Sequence, residues 1–466
     1  MALLMFSAVL IGAFSTLPCP ALSLYRFSPP DYFLVNCGSP SDSLDQANRL
    51  FLGDDKSSSP RFFHLVDQNP VPGAPGIYRT AAAFSKPYKY VFPVRERGTH
   101  ALRLHFNRFR SSAFDRYDVE FHVLVGGFVV LSNFTGGHGA TVKEFFIWVD
   151  KDEVAVHFLP STRNKIGFVN AIELISSPKD LIPEVAHFVG DGEIVDFEGL
   201  NRQALEVVHR LNVGGPKITP FNDSLWRTWA PDDEFFLSSS VSDMVYSPGR
   251  IQYREGGASR EVGPDNMYSS ARVIRSANQS VSNISMTWVL PVVRGHNYLV
   301  RLHFCDIASI SLGLIYFNVY LNGVLVYENL DLTHIVNEIL ASPYYVDFIV
   351  DGDGLQTLNV SIGPSNYSLP HAVDGILNGI EVMKLNNSMG SLDGEVCAGF
   401  LFRSWPRENI GSLVPLIALI CLILGISLVK HMRAIWISST VVWTKLPTDG
   451  MEVFEEQAAP QIAGKI

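Results

Sequence analysis

The chain is poor in cysteine and in clustered positive charge, and it carries none of the common catalytic signatures. Its 466 residues include five cysteines. Cys19 lies in an N-terminal apolar leader and Cys421 in a second apolar run, which leaves Cys37, Cys305 and Cys397. Thiols this sparse do not make a disulfide-dense scaffold, so the folded parts must be held by hydrophobic burial. The three remaining cysteines allow three single bridges. Cys37 with Cys397 is the favoured pairing, and Cys305, which follows an apolar strand, reads as a buried thiol. A formal net charge of −10 with no block of Lys or Arg excludes the basic face that nucleic-acid binding requires. No G-x-S-x-G elbow, H-E-x-x-H, C-x-x-C or P-loop occurs. His209-Arg210-Leu211 matches a fragment of a kinase catalytic loop but lacks its Asp. His105, His122, His157 and His303 fall inside strands without a companion cluster, so they read as neutral strand histidines. No catalytic residue, metal ligand or cofactor is expected.

What the chain does have is a long internal repeat. GTHALRLHF, starting at Gly98, returns as GHNYLVRLHF, starting at Gly295. Upstream, FPV from Phe92 matches LPV from Leu290, and downstream VEFHVLVGG from Val119 matches IYFNVYLNG from Ile315. NAIELI from Asn170 closes the first copy as NGIEVM from Asn378 closes the second. The opening segments also correspond, LVNCGSPSDSLDQANRLFLGDD from Leu34 and LNVGGPKITPFNDSLWRTWAPDD from Leu211. A shared order over this span marks a duplicated domain and exceeds the length of a solenoid unit.

The two ends read as targeting and membrane segments. Residues 1–23 form an uncharged apolar run ending in Ala21 and Ser23, the pattern of a secretory signal peptide without the usual basic start. A second run over 411–429 has no charge and no polar face, and its length suffices to cross a bilayer at about 1.5 Å per residue. Lys430, His431 and Arg433 follow it. The expectation is a single-pass plasma-membrane protein with its N-terminus outside. A glycolipid anchor is disfavoured because the apolar run does not end the chain. Glycosylation acceptors occur at Asn133, Asn222, Asn278, Asn283, Asn359, Asn366 and Asn386, all ahead of the apolar run. They support the secretory route independently, and six of the seven lie from Asn222 onward, so the second copy would carry most of the glycan.

Between the ends the pattern is β. HALRLHF and YLVRLHF alternate at period two. Gly126-Gly127 and Asn322-Gly323 sit at matching hairpin positions, the latter pair the strongest short hairpin signal. Asp150-Lys151-Asp152 and Asp351-Gly352-Asp353-Gly354 mark a second matching pair of turns. The last resembles a calcium loop but lacks the later ligands and the bidentate Glu, so it reads as a turn. Strands at this spacing indicate a sandwich or jelly roll. SSPKDLIPE, from Ser176 to Glu184, loses the strand pattern and reads as a connector docked by Leu181 and Ile182. The expected organisation is a signal peptide (1–23), domain A (24–178), a connector (179–204), domain B (205–387), a juxtamembrane stalk (388–410), a transmembrane helix (411–429) and a short cytoplasmic tail (430–466).

Tyr78, Trp226, Trp229 and Tyr268 offer aromatic faces near the start of each copy, and Asp232 and Asp233 (with Asp54 and Asp55 in the first copy) offer carboxylates. Together they are candidate contacts for a sugar or other ligand, although rings at a sheet edge more often pack than bind.

The motifs resemble a plant family. NCG, YRTA from Tyr78, GTHALRLHF, LSNF from Leu131, KEFFIWVDKDEVAVHFLP and FVNAIELISSPKDLI are similar to the first malectin-like domain of the malectin-like receptor kinases of the FERONIA and THESEUS group. WAPDDEFF, RLHFCDI, FNVYLNG and DGILNGIEVMKL are similar to the second. The resemblance implies an all-β ectodomain of two tandem malectin-like β-sandwich domains followed by one transmembrane helix. As partners it implies a secreted signalling peptide and a glycolipid-anchored co-receptor. It assigns no sugar site. The chain departs from the family in lacking the cytoplasmic serine/threonine kinase, so no enzymatic activity is expected. The expected function is a receptor protein that modulates full-length receptor kinases. The alternatives are a lectin-like tether for cell-wall polysaccharide and a truncated gene copy, which sequence beyond Ile466 would reveal.

Overall fold

The structure, a computed structural model, describes residues 27–54, 62–111, 114, 117–137, 139–190, 193–237, 242–254, 257–274, 285–368, 374–404 and 413–438. The expected signal peptide lies outside these residues, as does the tail beyond 438. Apart from short helical turns and a C-terminal helix, the fold is built from β-strands, as the alternating patterns predict.

Each RLHF strand shows why. In Gly98–Phe106, Leu102, Leu104 and Phe106 enter one core, while Ala101, Arg103 and His105 face the other way. In Tyr298–Cys305, Val300, Leu302 and Phe304 enter a separate core, leaving Leu299, Arg301 and His303 on the opposite face. Smaller sheets close both cores from the far side. They include 121–125, 128–134 and 153–160 in the first copy, and 316–321, 324–331 and 357–364 in the second. Both expected hairpins form, with positive φ at Gly126 and Gly127 and at Asn322 and Gly323, as their tight turns demand. The repeated NCG and NVG segments share a packing reason. A Cβ on Gly38 would sit 2.3 Å from the Ala81 backbone, and one on Gly214 would sit 2.4 Å from the Ala271 carbonyl.

The RLHF strands belong to one sheet that runs through both copies. From the first copy it takes Tyr32–Asn36, Ala171–Ser176, Gly98–Phe106 and Thr141–Val149. It continues into Leu205–Asn212, Gly379–Leu385, Tyr298–Cys305 and Pro343–Val350 of the second. The junction is a short antiparallel contact, Phe145 with Glu206 and Phe146 with Leu205. The edge of the first copy thus meets the second head to tail. Such an arrangement exposes a new edge at the far end unless something covers it. The connector covers part of it. Its hairpin, Val185–Val189 with Ile194–Glu198, pairs in parallel with Phe348, Ile349 and Val350. Leu181 and Ile182 are buried beside Phe146, Leu205 and Leu299, a burial that contributes about 1.5–3 kcal/mol per side chain.

Residues 388–404, read from the sequence as a stalk, pack back onto the first copy. Val129 N–H donates to the Gly390 carbonyl at 3.0 Å, and Leu392 N–H to the Val129 carbonyl at 2.8 Å. Leu392 is buried in the first core, and Leu401 packs on Leu124, Val129 and Leu159. The Leu413–Ser438 helix contains a stretch, Ile417–Trp436, long and apolar enough to cross a membrane. It continues past the expected end at 429, through Lys430, His431 and Arg433.

The expected Cys37–Cys397 bridge is not formed. Both thiols are free, with Cys37 wholly buried in the first core and Cys397 half-buried at the head of the Ala398–Ser404 helix. Hydrophobic packing encloses Cys37, and burial holds its thiol well above the ordinary pKa. Cys305 is also wholly buried.

The candidate glycosylation sites differ in access. Asn133, Asn222 and Asn366 are exposed. Asn359 is half-buried within Thr357–Pro364, and both ends of the Asn386 amide are engaged, by Ala204 N–H at 2.8 Å and the Asn387 carbonyl at 3.2 Å. Asn278 and Asn283 lie outside the described residues. Peptide mass spectrometry after enzymatic deglycosylation should find Asn133, Asn222 and Asn366 occupied well ahead of Asn359 and Asn386.

Candidate functional site

The outer face of the shared sheet, away from both cores, carries opposite charges on successive strands. Arg49 forks onto Glu173 at 2.7 and 2.9 Å and also pairs with Asp45. Glu173 accepts from Arg103 at 3.0 Å, and Arg103 pairs with Glu144 at 3.2 Å. Glu144 crosses the junction to Arg210 of the second copy through two hydrogen bonds, 3.0 and 3.1 Å. Arg210 reaches Glu381 at 2.6 Å. Opposite Glu381 in register stands Arg301, which forks onto Asp347 at 2.7 Å. Beside this ladder, Glu206 bridges Lys143 at 2.8 Å and Lys384 at 2.6 Å. Buried charges survive only when paired and hydrogen-bonded, and here each strand supplies its neighbour's counter-charge.

Two matching triads hang from the ladder. Tyr78 Oη lies 3.0 Å from His105 Nδ1, whose Nε2 lies 2.9 Å from Glu173. Tyr268 Oη lies 3.0 Å from His303 Nδ1, whose Nε2 lies 3.2 Å from Glu381. Of the four strand histidines that the sequence shows without companions, His105 and His303 therefore each join a carboxylate and a phenol, whereas His122 meets Ser132 and His157 packs on Phe402. The signal was present in the repeats, since R-L-H-F and N-x-I-E place Arg, His and Glu at the same positions in both copies. Asn170 and Asn378 of the same motif tie strands together, accepting from the backbone N–H of Asn107 at 2.6 Å and of Cys305 at 2.7 Å. No nucleophile is paired with either histidine among the described residues, so the geometry orients and locks the sheet.

Burial pushes the Glu144 carboxyl up, but the Arg103 and Arg210 guanidiniums pull it further down, from 4.5 to about 2. The same opposition leaves Glu173 and Glu381 below the ordinary range, Arg103 acting first on Glu173 and Arg210 first on Glu381. Burial holds His303 below the ordinary histidine value, and its Glu381 contact opposes that only in part. Both kinds of group bind protons less readily folded than unfolded, so each contributes stability that is lost as pH falls. The urea midpoint should be flat above about pH 7, decline below about 6.5 as unfolded histidine charges, and fall steeply below about 4.5. Glu144 alone accounts for about 3 kcal/mol, at roughly 1.4 kcal/mol per pKa unit.

The candidate ligand residues divide. Trp229 is wholly buried, its indole N–H on Asp223 at 2.9 Å. Asp232 is also buried, accepting from Gly214 N–H, Arg272 and the Trp288 indole at 3.0, 2.6 and 2.7 Å. Tyr268 is buried in its triad. These three hold the second copy together. Asp233 is exposed but pairs with Arg272 at 2.7 Å. In the first copy Asp54 matches Asp232, accepting from Gly38 N–H at 2.8 Å and Tyr90 Oη at 2.7 Å, and Asp55 lies outside the described residues. Tyr78 and Trp226 come together on one apolar cluster of the first copy, where Trp226 also packs on Tyr32 with ring centroids 5.0 Å apart. Burial raises the Tyr78 phenol to about 12. Trp226 lines a cleft of about 310 Å³ at the junction, whose walls include Arg49, Arg103, Glu144 and Arg210.

Two β-sandwich copies share one sheet whose outer face is crossed by a ladder of buried ion pairs. A model of the malectin-like domain matches residues 35–385, and the chain belongs to the malectin-like family. Receptor-like protein kinase HERK 1 of Arabidopsis thaliana is 36% identical over 410 residues, covering 87% of this chain and 48% of HERK 1. The crystal structure of the ANXUR2 extracellular domain from Arabidopsis thaliana superposes with a TM-score of 0.71 at 25% identity, covering 78% of this chain and 99% of that one. The plant receptor-like kinase FER, solved in complex with the peptide RALF23 and LLG2, has a TM-score of 0.68 at 30% identity over 79% of this chain and 99% of its own. The chain spans about half the length of the curated relatives it matches, and its folded part superposes on the ANXUR2 extracellular domain.

Proposed function

We propose that this chain is a plasma-membrane recognition protein of the receptor family. It binds a secreted signalling peptide together with a glycolipid-anchored co-receptor, and it modulates full-length receptor kinases by pairing with them or competing for their ligand. The observation that carries this reading is the likeness to FER, which is seen in complex with RALF23 and LLG2. The C-terminal apolar helix supports display at a membrane surface. A sugar platform is less well served, because Trp229, Asp232 and Tyr268 are spent inside the second copy. The test is biolayer interferometry of the full chain in lipid nanodiscs against RALF23, LLG2 and both. Saturable binding that strengthens when both are present is expected. Absence of binding in all three arms overturns the reading, and binding to wall oligosaccharides alone would favour the tether.

A further inference from the structure

The duplication gives the two copies unlike outer faces on their smaller sheets. In the first copy Val123, Val156 and Phe158 enter the core, which turns the alternate residues Leu124, Ala155, His157 and Leu159 outward. The matching residues of the second copy are Tyr320, Asn359, Ser361 and Gly363. That second face is polar. Ser361 Oγ lies 2.9 Å from Thr287 Oγ1, Asn318 Nδ2 donates to Tyr320 Oη at 3.3 Å, and Asn359 is a candidate glycosylation acceptor.

The first copy's face is apolar, and the Ala398–Ser404 helix covers part of it. Leu401 packs over Leu124 and Leu159, and the Phe402 ring meets His157 edge-on, with centroids 5.1 Å apart. The cover is incomplete. Phe400 remains 63% exposed and Phe402 44%. Phe402 and Ala155 line one cleft of about 230 Å³, and Val91, opposite Ala155 on the edge strand Tyr88–Pro93, is exposed too. Lys89, opposite His157, and Arg403 add exposed basic groups to this face.

An apolar patch left on the surface marks an interaction site. The length of the chain selects the partner. Eight residues, 405–412, lie between the docked helix and the start of Leu413–Ser438. Fully extended, that link reaches at most about 32 Å, and the headgroup layer occupies several ångströms of it. A tether this short presents the patch to lipid at a millimolar effective concentration, so a weak contact suffices. Aromatic rings flanked by Lys or Arg are the side chains that settle at a membrane–water interface, rings among the headgroups and basic ends reaching out.

We propose that Phe400, Phe402 and Val91, with Lys89 and Arg403, rest the first copy on the outer leaflet of the bilayer that anchors the chain. The proposal rests on the membrane-anchored reading above and deepens it. The second copy, polar at the matching place, makes no such contact there.

The test is photocrosslinking of the full chain in phosphatidylcholine nanodiscs, with benzoylphenylalanine replacing Phe400, Phe402 or Val91 in turn. Tyr246, 72% exposed on the second copy, and Leu422 of the C-terminal helix are labelled as references. Mass spectrometry should find lipid adducts at Leu422, and at Phe400, Phe402 and Val91 in yields several-fold above Tyr246. Phe400→Glu combined with Phe402→Glu should cut the yield at Val91 several-fold, and an unchanged yield would count against the contact. Adducts at Leu422 but none at the three patch positions, or an equal yield at Tyr246, overturn the inference and leave the membrane anchor standing. No adduct at Leu422 removes the anchor and the inference together. Crosslinked dimers in place of lipid adducts make the face a contact between chains and likewise overturn it.

Discussion

Arg210→Ala is expected to lower the stability of the folded chain by about 3–5 kcal/mol, the usual cost of stripping one partner from a buried ion pair. The side chain stands between two carboxylates, Glu144 of the first copy and Glu381 of the second, and both are nearly excluded from water. Removing the guanidinium leaves two buried negative charges with fewer counter-charges. It also cuts one of the side-chain links across a junction whose backbone pairing is only two residues long, leaving Lys143–Glu206 and the Arg103 bond to the Leu225 carbonyl. The denaturant midpoint measures the loss, and Arg210→Lys should recover only part of it, because an ammonium cannot fork onto Glu144 while reaching Glu381. The deficit should shrink at about pH 3, where the stranded carboxylates take up protons. A change below about 1 kcal/mol would mean that the junction is held by its apolar cluster alone.

Trp229→Ala is expected to cost about 3–5 kcal/mol, as large-to-small changes in a packed interior do. The ring is wholly buried among Ile218, Met267, Tyr268 and Cys305. Its loss opens a cavity and takes a donor from Asp223, which holds Arg227 in a buried pair. Trp226→Ala, only three residues earlier, should cost far less, because that ring is half-buried over the junction cleft. Thermal melting of the two variants separates them. If they lose stability equally, Trp226 is also a structural residue and the cleft is not an accessible site.

The sequence made the duplication, the hairpins and the strand faces legible because each rests on local chemistry. Period-two alternation and asparagine-glycine turns need no knowledge of distant residues. The same holds for the docking of Leu181 and Ile182, which stand apolar in a proline-bounded segment. The charge ladder was not legible, because each pairing joins residues that only the assembled sheet brings together. Arg210 illustrates this most clearly. Its match in the first copy is Leu34, so comparing the copies gives no hint that an arginine there bridges to Glu144. Histidines 105 and 303 looked solitary for the same reason, with their glutamates some seventy residues away in sequence. The aromatic candidates misled in part because tryptophan and tyrosine serve interiors and surfaces alike, and only burial separates Trp229 from Trp226. The packing of residues 388–404 on the first copy left no pattern, since the segment contributes single anchors such as Leu392.

Both copies form one body, bound through a common sheet. Differential scanning calorimetry of the full chain in nanodiscs at pH 7 tests this most directly. A single endotherm for the extracellular body, with calorimetric and van't Hoff enthalpies in agreement, is the predicted result. Two resolved transitions, one per copy and unmoved by Arg210→Ala, would contradict it.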